Sequence, residues 1–349
     1  MAAKAQGSAF ASSRTWYHYD SVLYVQIATH GYTLFKCAAQ PGAWCGNAGW
    51  FPGFPAVLAL LVDLGAPAIA AGAVISWLFA LATLILLWKC FLSRTDSPVR
   101  YVALAFAAFD PGGIYMRAVF PMSMTVFFLL VCLLMLERRH WLWAGLAGGA
   151  AAFDYATAVA IAAVIAIWAL AAPGPELLPR RVLRAIGSAG LAVAGLLAAL
   201  GVFWAETGRW NSYFMIQAKY QHGIHFPWTQ LWPAIESAFR AAPTGVAGIK
   251  AAEAVVVTAI CLSLLIAVAI RTARGFADRW EHLLMLFVLV FWLFPLTQAN
   301  VSYWRTDTML LPAALLIVRM RGWLAASLTA GVVAMLPFLA YFFFANQLI

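Results

Sequence analysis

A chain of 349 residues is long enough for two soluble domains, but 64% hydrophobic and 10% charged residues exclude a water-soluble core wrapped in polar surface. The net charge of +9 does not mark a nucleic-acid binder, because the 22 Lys and Arg are scattered through short segments with no basic-aromatic stripe. The composition implies an all-α polytopic membrane protein, one integral membrane domain over residues 1–349 with lipid as its main solvent and partner.

In chain order, residues 1–15 are small and polar. They lack a charged region followed by an apolar one, and so read as neither signal peptide nor membrane anchor. Residues 16–67 form a first external loop. It opens with "WYHYDSVLYVQIATHGY", where the spacing of Tyr24, Ile27 and Ala28 predicts a helix, and it closes with a surface helix over 55–64. A full span is predicted over 68–88, a short one over 101–109 ended by "DPGG", and a longer one over 119–136 closed by "ERRH". Residues 141–155 and 156–172 read as two helices bent back at "FDYAT", and "PGPELLPRR" as a polar loop before a span over 185–205. A second external loop over 206–250 precedes spans over 251–270, 282–298, 308–318 and 323–344. No repeat and no mid-span charge is evident. Spans shorter than about 17 residues are tolerated where they line a polar cavity, which is expected on the external side.

Charge sets the expected topology. The turns at 89–100, 137–140, 173–184, 271–279 and 319–321 hold 13 of the 22 basic residues, and the opposite loops hold seven. By the positive-inside rule the two large loops face away from the cytoplasm. Of five cysteines, Cys90, Cys132 and Cys261 fall in or beside apolar helices and read as buried thiols. Cys37 and Cys45 flank "QPG" in the first external loop, where an oxidising compartment would let them pair.

Several residues carry candidate chemistry. Asp20 lies one turn before Tyr24 on the same helix face; a carboxylate walled by aromatics suits a general base toward a hydroxyl, while "YDS" before an apolar run equally suits a helix N-cap. Arg305, in "SYWR", is placed to hold a phosphate bidentately or to anchor the interface as the partner of Asp307. His222 and His225 are three apart, as binders of a hydroxyl or phosphate or as ordinary loop residues, and they lack a third ligand for a metal. Arg117 and Asp154 mark external turns that can line a cavity, whereas Asp110 reads as a solvated turn.

The opening stretch, with Tyr19, Asp20, Ser21, Tyr24, Ile27, Ala28, His30, Gly31 and Tyr32 in order, followed by Phe51, Pro52, Phe54 and Pro55, resembles the first external loop of the GPI mannosyltransferase II (PIG-V) family and its bacterial relatives in the GT-C superfamily. Weaker similarity covers nearly the whole chain, including "HFPWTQLW" and "SYWRTDTMLLP". The resemblance implies a GT-C-like bundle of about 9–11 transmembrane helices, in a bacterial inner membrane with its active site facing the periplasm or exterior. It implies inverting transfer of a sugar, most often mannose, from a polyprenyl-phosphate donor to a glycan, glycolipid or protein acceptor. Asp20 would be the catalytic base, with Tyr24, His30 and Tyr32 beside the substrate. No cofactor is implied beyond the lipid-linked donor, and metal dependence is left open. The chain departs from the relatives in three places: they usually carry a span before the Asp-containing loop, a Glu where Met124 stands, and a basic residue near Asp154 or Tyr155. The alternative reading is a non-catalytic membrane subunit working with a partner, or a lipid or solute transporter.

Overall fold

Backbone amides in hydrocarbon have no water to bond, so the apolar runs close their hydrogen bonds within helices. The computed structural model describes residues 12–171, 177–220, 223–240, 245–298 and 303–348. The first region holds helix α1 (Ser21–His30), a hairpin of β1 (Leu34–Lys36) and β2 (Trp44–Gly46), and helix α2 (Gly53–Asp63). The hairpin pairs Phe35 with Cys45, and Cys37 and Cys45 are disulfide-bonded with their Cα atoms 5.1 Å apart. The surface helix expected over 55–64 begins two residues earlier, because Pro55 fits a first helical turn where its missing N–H is not needed.

The bundle follows. It comprises α3 (Ala68–Cys90), α4 (Val99–Ala108), α5 (Met122–Glu137), α6 (Trp141–Asp154), α7 (Ile161–Ala171) and α8 (Leu178–Thr207). After the short helices α9 (Ser212–Ala218) and α10 (Trp228–Arg240) come α11 (Val246–Ala273) and α12 (Arg279–Leu296). A turn α13 (Tyr303–Thr306), a 3-10 segment Asp307–Ala313, α14 (Ala314–Ile317) and α15 (Gly322–Phe344) complete it. Among the described residues, α3, α8, α11, α12 and α15 are long and apolar enough to cross a membrane. Five further apolar segments, α4 and α5 among them, run 10–17 residues. The loop expected at 173–184 is shorter than its composition suggests: Arg180, Arg181 and Arg184 lie in the first turns of α8, which Pro179 permits near its start. One carboxylate lies near the start of a long helix. Glu253 sits within α11, wholly buried.

Small residues let α6 and α8 cross at backbone contact. A Cβ on Gly195 would fall 1.9 Å from the Gly149 carbonyl oxygen, so this crossing admits glycine alone.

The basic turns gather at one end of the bundle. Arg94 pairs with Glu137 at 2.8 Å, Arg184 lies over the Trp141 ring, Arg279 lies over Trp168, and Arg319 pairs with Asp278 at 3.0 Å. The two large loops meet at the other end, where Gln217 Nε2 donates to the Gly49 carbonyl at 2.8 Å. At the basic end Arg271 grips the buried Glu281 with two hydrogen bonds of 2.6 and 2.8 Å, fixing α11 to the start of α12. Glu281→Gln keeps the shape and removes the charge, so about 2–3 kcal/mol of stability should be lost. An unchanged melting temperature in detergent would show that the pair is dispensable.

The uneven helix lengths shape the loop end. At 1.5 Å per residue α4 rises about 15 Å from the basic end and α6 about 21 Å, against about 42 Å for α11 and 45 Å for α8. The short helices therefore stop well before the level that the long ones reach. Asp110 and Asp154 lie at or just past the ends of two of them.

Candidate functional site

Asp20 occupies the N-cap position of α1, yet its side chain makes no capping hydrogen bond. Its own backbone is already helical, φ −63° and ψ −10°, rather than the extended form from which a cap reaches the next turn. The residue before it is also unusual. Tyr19 adopts a positive φ of 51°, a conformation that costs energy in any residue with a Cβ and persists only when its surroundings hold it. Its hydroxyl donates to the Phe342 and Phe343 carbonyls at 3.2 and 3.1 Å and accepts from the Leu348 N–H at 2.9 Å. The C-terminal end of α15 thus clamps the turn that presents Asp20. The freed carboxylate accepts a hydrogen bond from Arg305 Nη1, with the two side chains 26% and 21% exposed, so the pair is reachable from outside.

Arg305 was expected to meet a phosphate or Asp307. In the structure Asp307 turns instead toward Glu253. The Arg305 guanidinium lies 5.8 Å from the Phe120 ring centroid and beside the Tyr155 hydroxyl. Its Nε–H has no hydrogen-bond partner among the described residues, so one donor of the fork is left over beside Asp20.

Tyr24 completes this corner from beneath. It is 2% exposed and packs edge-on against Phe54 and Phe120, with centroids 5.8 and 5.7 Å away. Burial first, and then the Asp20 carboxylate, hold its phenol well above the usual range, so it stays neutral. Asp154 is near enough to act on the same phenol. It is fully buried; Oδ2 accepts from Thr125 Oγ1 at 2.6 Å, while Oδ1 has no partner among the described residues. The start of α2 presses on it closely. A Cβ built on Gly53 would fall 2.6 Å from the Asp154 Cα, so Gly53→Ala must push α2 off α6. That substitution should cost about 1–3 kcal/mol and disturb Asp154; a fully stable, fully folded variant would show that α2 yields freely.

Not every candidate joins this corner. His30 is exposed at the far end of α1, about 15 Å from Asp20 along the helix, and its Nδ1 bonds Thr29. Tyr32 donates to the Trp50 carbonyl at 2.9 Å and packs on Phe203; burial and then Glu206 raise its phenol, and it braces the loop. His225 is exposed and bonds the Thr297 carbonyl through its backbone N–H at 2.7 Å, and His222 lies outside the described residues. Asp110 is no solvated turn: it is 6% exposed, and burial with the nearby Asp307 carboxylate pushes it up to about 8. Arg117 lies apart from Asp20, in an apolar furrow beside α3. Among the described residues no group of three His, Cys, Asp or Glu is arranged to hold a metal ion.

Sequence reasoning missed Tyr155, Thr125 and Phe120. "FDYAT" read as a bend, and nothing in its local pattern tells a phenol beside a distant guanidinium from an ordinary interfacial tyrosine.

No family model matches the chain, and no curated protein does either. Solved structures similar in fold include the Archaeoglobus fulgidus oligosaccharyltransferase in its apo form, with 11% identity, a TM-score of 0.47, and 97% of this chain matched to 52% of that one. The same enzyme tethered to an acceptor peptide containing the NVT sequon matches at 11% identity and a TM-score of 0.46, covering 96% and 51% of the two chains. The archaeal oligosaccharyltransferase AglB of that organism, in complex with an inhibitory peptide and a dolichol-phosphate, matches at 12% identity and 0.46, covering 96% and 52%. The chain spans about half the length of these proteins.

Proposed function

We propose that the protein is a membrane glycosyltransferase that moves a sugar, mannose by the resemblance of its first loop, from a polyprenyl-phosphate donor to an acceptor hydroxyl. The transfer would take place on the non-cytoplasmic face. The observation that carries this reading is Asp20 itself: its carboxylate caps nothing, follows a strained and clamped Tyr19, and meets a partly exposed arginine. A cap would need no such arrangement.

In the proposed reaction the acceptor oxygen attacks the anomeric carbon as the bond from that carbon to the phosphate oxygen breaks. Asp20 takes the hydroxyl proton, and polyprenyl phosphate leaves with the bonding electrons. Inversion follows from a single displacement. Arg305, with one N–H unused, would steady the charge that develops on the phosphate. Tyr24, Phe54 and Phe120 wall the base and restrict water.

The test is transfer by the purified chain in proteoliposomes supplied with polyprenyl-phosphate mannose and short mannosides. Formation of an extended glycoside with release of polyprenyl phosphate supports the proposal. Absence of transfer from any polyprenyl-phosphate sugar, with a folded protein, would return the chain to the reading of a non-catalytic subunit.

A further inference from the structure

A second set of carboxyl groups lies beside the short turn that carries Arg305. Glu253 is the eighth residue of α11 and wholly buried. It stands about twenty residues, or about 30 Å, from that helix's basic end, near the level where the 18 residues of α12 stop. Asp307 opens the 3-10 segment that follows α13, and Asp110 precedes the 3-10 turn Pro111–Ile114. Because α13 packs against both α11 and that turn, three buried carboxyl groups meet where three elements join.

Neither Glu253 oxygen receives a hydrogen bond from another described group, and Lys250, one turn earlier on α11, does not reach them. The polar group within bonding reach is the Asp307 carboxyl. Two ionised carboxylates have no hydrogen between them and repel, so a bond across this pair needs one proton held in common. Burial pushes the Asp307 carboxyl up to about 7 despite that bond. The titratable groups around the pair are Asp110, Tyr303 on α13, whose phenol is raised by burial and then by Asp307, and the buried Cys261 further along α11. The Tyr303 hydroxyl and that of the fully buried Thr308 have no partner among the described residues, so neither donates to the pair in the proton's place. Arg305, two residues before Asp307, is turned to Asp20.

We propose that Glu253 and Asp307 share one proton, that this proton latches α13 to α11, and that its loss at alkaline pH moves Arg305 off Asp20. The coupling is short-range. Since α13 is four residues long and Asp307 follows it directly, repulsion that drives Asp307 from α11 carries the guanidinium with it. The latch stands on the geometry of the pair; only its effect on sugar transfer rests on the proposed function.

The test is thermal melting of the full chain in detergent between about pH 5 and 9. A carboxyl whose value is raised by folding adds stability that is complete below its unfolded value near about 4, and that is lost as pH rises through the folded one. Wild type should therefore lose about 5 °C or more by about pH 8. Glu253→Gln combined with Asp307→Asn bonds amide to amide without a proton to lose, and should flatten most of that slope. If the pair of substitutions fails to fold, Asp307→Asn alone serves, its amide donating to Glu253. Infrared spectra at about pH 6 read the proton directly: wild type should show a carboxylic-acid carbonyl band that the variant lacks. Hydrogen exchange in α13, corrected for the intrinsic rate, should rise above about pH 8 in wild type alone. A wild-type melt flat with pH, a variant that keeps the wild-type slope and band, or α13 exchange that ignores pH overturns the inference. So does stabilisation by Mn²⁺ or Mg²⁺ that Asp307→Asn abolishes, which would make the pair a cation site. In proteoliposomes, kcat/KM for the donor should drop about tenfold between about pH 7 and 9 in wild type and hold in Asp307→Asn. No transfer at any pH, with melting and exchange as expected, would keep the latch and sink the proposed function; transfer with a flat melt would do the reverse.

Discussion

Asp20→Asn is expected to cut sugar transfer by about 100-fold or more while leaving the fold intact. The amide matches the carboxylate in shape and still accepts a hydrogen bond from Arg305 through its oxygen, so the turn held by Tyr19 has no reason to move. What disappears is the capacity to take a proton from the attacking hydroxyl. Because Asp20 makes no capping hydrogen bond, helix α1 loses nothing through the change; the cost is confined to the charge facing Arg305, so circular dichroism should follow wild type and melting should fall only slightly. The outcome separates two roles. An unfolded or much less stable Asp20→Asn would mean that the carboxylate serves structure, and a stable variant with full transfer would remove it from the chemistry altogether. Tyr19→Phe is the informative companion. It keeps the ring packed on Phe343 but deletes the hydroxyl that bonds Phe342, Phe343 and Leu348, and so should relax the strained turn and lower activity less than Asp20→Asn does.

How much of this was legible beforehand depended on the range of the interactions involved. Apolar run length and turn residues are local signals, and they placed α3, α5 and α6 within a few residues, because an apolar run in lipid must close its hydrogen bonds within a helix. Cys37 and Cys45 were readable for the same reason: they are eight apart around a turn. The partner of Asp20 was not. Arg305 lies 285 residues away, and only the closure of the whole bundle brings α13 against α1; a local reading offers Asp307 as the partner because it is near in sequence. Glu253 was overlooked because one carboxylate in a long apolar run scarcely changes its hydropathy, although its burial inside α11 is a structural fact of weight. Arg180 and Arg181 misled in the opposite sense. Charge and proline marked them as loop, but a helix leaving the membrane can continue into water for several turns.

Arg305→Gln gives the second large effect, and its interpretation depends on being measured together with Asp20. If the guanidinium serves only to aim the carboxylate, the single variant should lower kcat with little change in donor KM, and adding it to Asp20→Asn should cost nothing more. If its unused N–H also meets the donor phosphate, KM for the donor should rise in both backgrounds. The unsatisfied Nε and the fixed fork of donors favour the second outcome, since a side chain needed only to hold Asp20 would have no reason to keep a buried donor unmatched. The expected loss in kcat/KM is about 10- to 100-fold for the single variant, comparable to removing one or two charge-assisted hydrogen bonds. In the double variant kcat should equal that of Asp20→Asn alone while donor KM stays raised, a pattern of coupling that neighbours sharing one interaction show and independent residues do not. Arg305→Lys sharpens the point: it keeps the charge but not the fork, so donor affinity should recover only in part. Simple additivity of the two substitutions in kcat, with donor KM unmoved throughout, would confine Arg305 to the packing of α13 and leave the phosphate to be held elsewhere.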